Sequence, residues 1–185
     1  RSKTANQLQL FSPLVISWQG KSELKTLTSI DSGLPFLSKP DRLVAGMYLN
    51  ELLFFLMTEL DPHPEVYDLY AKTLINLEQS DLIEPALRYF EFGLLEDLGY
   101  GIDFSADTNG DAFQSENRYQ YFPDLGFSAV DVHLKGAIPG DALIELREQG
   151  LATSAALRVA KVVCRANLDL LLSGRELQSR KWYTS

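Results

Sequence analysis

The sequence predicts a mainly α-helical fold, in which a helical bundle follows a β-hairpin and carries a small β-like insertion near residues 117–135. Three observations support this prediction. Apolar residues recur at three- and four-residue spacing in several long segments, which is the period of a buried helix face. Proline and glycine stand where those segments begin and end. Alternating β-branched and aromatic residues are concentrated in the first 30 positions, as in paired strands.

The first element is a hairpin, because residues 8–18 and 23–30 read as strands on either side of the turn Gln19-Gly20-Lys21. Two strands alone are only marginally stable in water. We therefore expect either the end of a larger β-domain or a flap that packs on the helices.

Two helices follow a short loop. Ser38 is the predicted cap of the first, which should run to about Leu60. Pro64 opens the second, which should run to about Glu78. The neighbours Asn50 and Glu51 in the first helix have two possible settings: an exposed polar seam, or burial with hydrogen-bond partners.

The third helix, within Glu84–Tyr100, organises the rest of the chain. Pro85 suits its first turn and Gly99 the position after its end. Phe92 widens its apolar stripe, so we expect more than one element to pack on it. The other apolar positions of the stripe include Leu87, Leu94, Leu95 and Leu98.

Arg88 stands in the first turn of this helix, where the helix dipole opposes a cation. Two interpretations remain open. Arg88 pairs with Glu91 three residues on, on a solvated face. Alternatively, it forms an anion site beside an apolar pocket.

The second half of the chain begins with a polar loop at 101–117. Two short strands are predicted around Pro123-Asp124, and the segment Ile138-Pro139-Gly140-Asp141 is predicted to open a short helix that runs to about Gln149. A final helix, capped by Thr153 or Ser154, should run to Leu172. Its basic residues at spacing i, i+3 and i+7 share one face, either as a solvated surface or as a track for phosphates; they are Arg158, Lys161 and Arg165.

Charge is unevenly distributed along the 185 residues, whose net charge is −8. Residues 1–25 carry a net +3 and residues 158–185 a net +4, whereas residues 26–157 carry −15. Basic ends on an acidic body point to a polyanion partner, while an ordinary acidic protein with scattered lysines is the alternative. No apolar run is long enough to span a membrane. The first residues do not read as a signal peptide and lack a starting methionine, so we expect further sequence upstream.

Several chemistries find little support. One cysteine and two histidines cannot form a usual zinc site, and no catalytic motif is present, so we expect neither a metal nor an enzyme. Cys164 is expected to be a buried free thiol. A partial calcium loop remains an alternative, although it has Ser105 at its first position; its potential ligands are Asp107, Asn109, Asp111 and Glu116.

Six short segments stand out by their order and spacing along the chain: Gly20-Lys21, residues 48–53, residues 61–65, Ala86-Leu87-Arg88, Leu98-Gly99-Tyr100 and Ala156-Leu157-Arg158. In that order and spacing they resemble the RecO family of bacterial recombination and repair proteins. The resemblance covers nearly the whole chain and is weakest at 101–135.

The resemblance implies that residues 1–32 are the last strands of an incomplete OB-type barrel and that 33–185 form the helical C-terminal domain. It also implies a non-enzymatic recombination mediator without a cofactor, in the bacterial cytoplasm at the nucleoid. Such a mediator binds single- and double-stranded DNA, anneals complementary strands, acts with RecR and helps RecA to load. Its helical domain captures the acidic, Phe-ending tail of the single-stranded-DNA-binding protein. Some members hold zinc with four cysteines after the third helix, which this chain lacks. A helical scaffold that binds only proteins is the alternative.

Two sets of residues follow for this chain. The peptide site is assigned to Arg88 with Leu87, Leu94 and Leu95. The DNA-binding cations are assigned as Arg1, Lys3, Lys21, Lys25, Arg158, Lys161, Arg165, Arg175 and Arg180.

Overall fold

Helices dominate the chain, as predicted, in a computed structural model that describes residues 8–22 and 24–182. Arg1 and Lys3 lie outside the described residues. The elements follow the order β1 Leu14–Gln19, β2 Thr26–Ser32, α1 Pro40–Leu56, α2 Pro64–Gln79, α3 Ile83–Asp97, β3 Arg118–Phe122, β4 Gly126–Val130, β5 Ile138–Pro139, α4 Gly140–Gln149, α5 Ser154–Leu172 and α6 Ser179–Trp182.

Strands β1 and β2 form a two-stranded antiparallel ribbon with a bulge between Ser17 and Trp18. The described residues contain no closed barrel, so the ribbon's descent from an OB fold stays a prediction. Phe11 connects the ribbon to the helices. Its ring is buried over Gly46 of α1, where a Cβ atom would lie only 2.7 Å from two of its ring atoms. The backbone nitrogen of Phe36 also donates to the Phe11 carbonyl over 2.9 Å.

The predicted end of the first helix is wrong, because α1 stops at Leu56 rather than near Leu60. Asp61 donates back to the Thr58 carbonyl over 3.3 Å, and Leu60 has a positive φ of 68°, so the chain turns before Pro62. Ser38 does not cap α1. Its side chain and backbone nitrogen instead donate to the Glu78 carboxylate at the end of α2.

Helix α3 begins and ends close to the predicted positions, and Gly99 follows it with a φ of 82°. Thr153 caps α5 as predicted, since its Oγ1 accepts a hydrogen bond from the Ala156 nitrogen over 3.1 Å. The two strands of the insertion pair in register from Arg118–Val130 to Phe122–Gly126. The short helix predicted to open within Ile138–Asp141 begins at Gly140 and ends at Gln149 as α4. Ile138 and Pro139 lie before it and pair with β3 as β5, which makes a third strand in the order β4-β3-β5.

Two hydrophobic clusters hold these elements together. The first lies between α1, α2, α3, α5 and the C-terminal residues, and the second between the three-stranded sheet, α4 and α5. Phe92 packs against both clusters, as its position on the wide stripe of α3 predicts. Cys164 is a free, buried thiol, also as predicted. Helix α3 therefore has one face on each half of the molecule, and its first turns lie beside α5.

Candidate functional site

A cavity of about 350 Å³ lies where the first turns of α3 meet α1, α5 and α6. It is lined by Tyr48, Ile83, Glu84, Leu87, Arg88, Glu91, Lys161, Arg165 and Arg180. Four of these side chains are cations and two are carboxylates, and Ile83 and Leu87 give it an apolar side. This size falls within the range of protein pockets that hold small ligands.

The wall contributed by α3 and α1 is a buried polar network. Tyr48 Oη donates to Glu91 Oε1 over 2.6 Å, and Arg88 Nη2 donates to the same oxygen over 2.5 Å. Relative exposures of 5% for Tyr48, 7% for Arg88 and 1% for Glu91 show that the pair is internal. The Arg88–Glu91 pair of the first interpretation is therefore confirmed in its partners, but it lies in a buried wall rather than on a solvated face.

Burial sets the protonation behaviour of this network. It raises the pKa of Glu91, and the charge of Arg88 and the hydrogen bond from Tyr48 offset part of that rise. Burial likewise raises the pKa of Tyr48 well above its usual value, and the carboxylate of Glu91 raises it further. Cys164 lies against the same carboxylate, and burial raises the pKa of its thiol. One donor of Arg88 is unpaired, because its Nε has no hydrogen-bond partner among the described residues.

The opposite wall is formed by cations from α5 and α6. Lys161 Nζ lies 3.4 Å from Glu84 Oε1, and Arg180 Nη1 donates to Asp169 Oδ1 over 2.5 Å. Arg165 is exposed, and within the described part of the chain no carboxylate lies within ion-pair distance of it. Of the four cations around the cavity, Arg165 thus has the guanidinium that is most available to an incoming anion.

A second cavity of about 430 Å³ adjoins the first beyond the end of α5. Arg165 and Arg180 line both cavities. The second is otherwise lined by Asp169, Gly174, Arg175, Glu176, Leu177 and Lys181. The two shared arginines therefore form a wall that is common to both cavities.

The predicted peptide-site residues divide into two pairs. Leu87 and Arg88 line the first cavity. Leu94 and Leu95 do not, and their assignment to ligand contact needs correction, because both are completely buried in the first cluster. They lie about two turns further along α3, where other helices already cover the apolar stripe. No sequence pattern points to Tyr48 or Ile83, whose roles depend on how α1 and α3 meet.

The predicted DNA-binding cations fall into groups according to whether they line the first cavity, only the second cavity or neither. Lys161, Arg165 and Arg180 line the first cavity together with Arg88. Arg175 lines only the second cavity, where its guanidinium donates to the carbonyls of Leu172 and Phe55 and lies 5.5 Å from the centre of the Phe55 ring. These contacts tie Arg175 to the end of α5 and to α1, so its guanidinium helps to stabilise the fold.

The other predicted DNA-binding cations that the structure describes lie outside both cavities. Arg158 is exposed on α5, two turns before Arg165. Lys21 and Lys25 are exposed at the turn of the ribbon, and Lys25 Nζ donates to the Gly20 carbonyl over 3.1 Å.

Metal sites and membrane spans find no support in the fold. Within residues 8–22 and 24–182, no group of three or more His, Cys, Asp or Glu side chains is placed to hold a metal ion. In the segment considered for calcium, Asp107 Oδ1 accepts hydrogen bonds from the backbone nitrogens of Asn109 and Asp111 over 2.8 and 3.0 Å, as in an ordinary turn. None of the described helices is both long and apolar enough to cross a bilayer.

Comparison with known proteins gives consistent results. Residues 37–171 match the family described as Recombination protein O C terminal. The chain is 38% identical over 184 residues to a DNA repair protein RecO of Pseudomonas aeruginosa (strain UCBPP-PA14), covering 99% of this chain and 79% of that protein. It is 36% identical over 184 residues to a DNA repair protein RecO of Coxiella burnetii (strain CbuG_Q212), covering 98% of this chain and 79% of that protein.

Proposed function

This chain belongs to the RecO family of DNA repair and recombination proteins, and we propose that it acts there as a recombination mediator that binds an acidic peptide and DNA. The peptide is the C-terminal tail of the single-stranded-DNA-binding protein. In this proposal the chain anneals complementary strands and works with RecR to help RecA load. It acts by binding rather than by catalysis.

The observation that carries the peptide proposal is the first cavity, which is lined both by apolar side chains and by Arg165, a cation with no carboxylate within ion-pair distance among the described residues. Ile83 and Leu87 offer apolar surface to the ring of a terminal phenylalanine. Arg165 is free to bind a carboxylate, and a guanidinium can do so with two parallel hydrogen bonds. Arg88 also lines the cavity, and its Nε is buried without a hydrogen-bond partner among the described residues.

The second cavity supports an extended ligand of the same kind. Acidic residues that precede the terminal phenylalanine would pass Arg165 and Arg180, which line both cavities. A peptide with several carboxylates gains from this arrangement, because each additional charge meets a cation already in place. Proposed peptide contacts are therefore Leu87, Arg88, Ile83, Arg165 and Arg180.

The test of peptide binding uses a fluorescein-labelled nine-residue peptide with acidic residues and a terminal phenylalanine, titrated by fluorescence anisotropy. We expect Arg165→Ala to weaken binding about tenfold, because a charge-assisted hydrogen bond contributes about 1.5–3 kcal/mol. Lys72→Ala, which removes an exposed cation on α2, is the matched control and should bind like the wild type. Equal affinities of wild type and Arg165→Ala would contradict the proposal.

A second peptide, identical except for glycine in place of the terminal phenylalanine, tests the apolar part of the site. Its binding should fall at least as much as with Arg165→Ala, since the ring would bury most of the apolar area. If both peptides bind equally, the cavity recognises charge alone, and the proposed occupant is wrong.

DNA binding is proposed for the basic ends of the chain, with Arg158 as the cation of α5 that lies outside both cavities. Each neutralised phosphate releases counterions, so the logarithm of the affinity falls with the logarithm of salt concentration. Arg158→Glu should reduce that slope by about one for each phosphate that the variant no longer neutralises, and Lys72→Glu should not. An unchanged slope for Arg158→Glu would remove Arg158 from the DNA surface.

A helical scaffold that binds proteins but not DNA is the second candidate. It is favoured by the pairing of Lys161 with Glu84 and of Arg180 with Asp169, which leaves fewer cations for phosphates, and by the net charge of −8. This candidate predicts no retention of single- or double-stranded DNA at low salt, while the acidic peptide still binds.

A further inference from the structure

The last described residues, 173–182, form a strap that returns from the end of α5 to α1. We call this segment the C-terminal strap. Leu177 is buried in the first hydrophobic cluster, and Ser179 is only 1% exposed. The strap ends in α6, a single turn of four residues, and so short a helix is not stable by its own hydrogen bonds. Contacts with α1 must therefore hold it in place.

Arg175 of the strap contacts Phe55 of α1, and Glu51 of α1 binds the residues at the start of α6. Its Oε1 accepts a hydrogen bond from the Gln178 nitrogen over 2.8 Å. Its Oε2 accepts from the Ser179 nitrogen over 2.9 Å and from Ser179 Oγ over 2.5 Å. Both carboxylate oxygens are thus used to bind a segment that lies 127 residues further along the chain. Of the two settings that the sequence allows for Glu51, the structure shows the one with hydrogen-bond partners.

The electrostatics of Glu51 agree with this role. Partial burial alone would raise the pKa of its carboxyl, but the hydrogen bonds from Ser179 and Gln178 and the charge of Arg180 lower it. The carboxylate is therefore ionised at neutral pH, and it stabilises the start of α6, where backbone nitrogens point outward.

The residue directly after Ser179 is Arg180, which lines both cavities of the candidate site. We infer that Glu51 is a positioning residue for peptide binding: by fixing Gln178 and Ser179, it holds Arg180 in the wall that the two cavities share. This inference rests on the proposed peptide binding. Glu51 itself lines neither cavity, so its effect on the ligand is exerted through Arg180.

Asp169 shows why position matters for Arg180. The guanidinium of Arg180 donates a hydrogen bond to Asp169 on α5. With the strap in place, the same guanidinium also lines both cavities. An acidic peptide meets it there without reordering the strap. Once the strap is released, the cost of ordering it again is added to binding, and affinity falls.

The test is a double-mutant cycle on the full chain with the labelled acidic, Phe-ending peptide. We expect Glu51→Ala and Arg180→Ala each to weaken binding about fivefold, since a half-exposed ion pair contributes at most about 1 kcal/mol. The double variant should also be weakened about fivefold rather than about 25-fold, because both changes remove the same interaction. Glu51→Ala combined with Ile83→Ala is the matched control, and there the two effects should multiply.

A spectroscopic readout follows the strap itself. The chain has two tryptophans, Trp18 in the ribbon and Trp182 in α6, so Trp18→Phe leaves Trp182 as the sole tryptophan. In that background, Glu51→Ala should lower the fluorescence anisotropy of Trp182, and the backbone amides of Gln178 and Ser179 should exchange faster with deuterium. Glu51→Gln keeps the shape of the side chain but removes one acceptor, and it replaces Glu51→Ala if the latter fails to fold.

The outcomes separate the two proposals. If the wild type binds the peptide and Arg180→Ala weakens binding, but the Glu51 variants bind normally or act additively with Arg180→Ala, the positioning role is overturned and peptide binding stands. If the wild type does not bind the peptide, the proposed function fails, and the positioning role fails with it whatever Trp182 reports. Non-additive losses together with a more mobile Trp182 support the inference.

Discussion

Arg88 Nη2 donates a hydrogen bond to Glu91 Oε1 over 2.5 Å, and both side chains are almost completely buried in the wall of the first cavity. A buried pair of this kind constrains experiments on the site. Removing one partner leaves the other charge without compensation, and this is costly. Arg88 is therefore both a candidate ligand contact and a part of the folded core.

Arg88→Ala should lower the free energy of unfolding by about 3 kcal/mol at neutral pH, because it strands the Glu91 carboxylate. Urea unfolding followed by circular dichroism measures this change. Lys72→Ala, an exposed cation, should alter stability by no more than about 0.5 kcal/mol. If Arg88→Ala is as stable as the control, the Arg88–Glu91 pair does not contribute to the free energy of unfolding. A loss of peptide affinity in Arg88→Ala is thus informative only under conditions where circular dichroism shows that the variant is folded.

Glu84→Gln should strengthen binding of the acidic peptide about threefold, since it removes a negative charge at the cavity and releases Lys161 from a pair at 3.4 Å. Anisotropy titrations at two salt concentrations provide the measurement, and the gain should shrink at high salt. Glu65→Gln, the same change at an exposed position on α2, should leave affinity unaltered. Weaker binding by Glu84→Gln would show that this carboxylate does not oppose the ligand.

His63 links the start of α2 to the end of α3, because its Nδ1 shares a hydrogen bond with Asp97 Oδ2 at 2.5 Å. That hydrogen bond raises the pKa of His63 above its usual value of 6.5; burial opposes the rise, and the charges of Asp97 and Asp61 add to it. A raised pKa in the folded state means that the stabilisation is fully present below the unfolded pKa and is lost as pH rises through the folded pKa.

The melting temperature of the wild type should therefore exceed that of His63→Gln most at about pH 6 and least at about pH 9. Thermal unfolding across that interval measures the difference. His133→Gln removes the chain's other histidine at an exposed position and serves as the control. A wild-type advantage that grows with pH would have the wrong sign for this mechanism.

Phe92 packs against both hydrophobic clusters and meets the Phe104 ring edge-on, with centroids 5.7 Å apart. Phe92→Ala should reduce the free energy of unfolding by about 3 kcal/mol, because it opens a cavity between the two halves. Phe54→Ala, which truncates a ring that is 80% exposed, should cost less than about 0.5 kcal/mol. Similar values for the two variants in urea unfolding would refute the bridging role.

Local sequence signals predict the long helices best. Helices α3 and α5 are predictable nearly to the residue, because Gly99 and Thr153 mark their ends and their apolar spacing is regular. Shorter elements escape prediction. The two-residue strand β5 and the four-residue helix α6 have no periodicity to detect, and each depends on a distant partner. For α6 that partner is Glu51, which no local pattern connects with Ser179.

The candidate site is predictable only in pieces. Sequence assigns Leu87 and Arg88 to a peptide but Lys161, Arg165 and Arg180 to DNA, because it shows which cations share a helix and not which helices meet. The approach of α5 and α6 to the first turns of α3 places these cations around one cavity. The apolar stripe of α3 looks continuous in sequence through Leu94 and Leu95, and only the packing of the other helices shows where it becomes inaccessible.

The seating of Phe11 over Gly46 gives the ribbon its orientation relative to α1. A methyl group at position 46 would lie 2.6 Å from Leu37 Cδ1 and 2.7 Å from two atoms of the Phe11 ring, so these side chains would have to shift. The strands and the helices could each keep their own hydrogen bonds through that change, while the ring contact between Phe11 and α1 would be altered. The single hydrogen atom that glycine carries in place of a side chain thus makes room for the contact through which the ribbon end of the chain packs on α1.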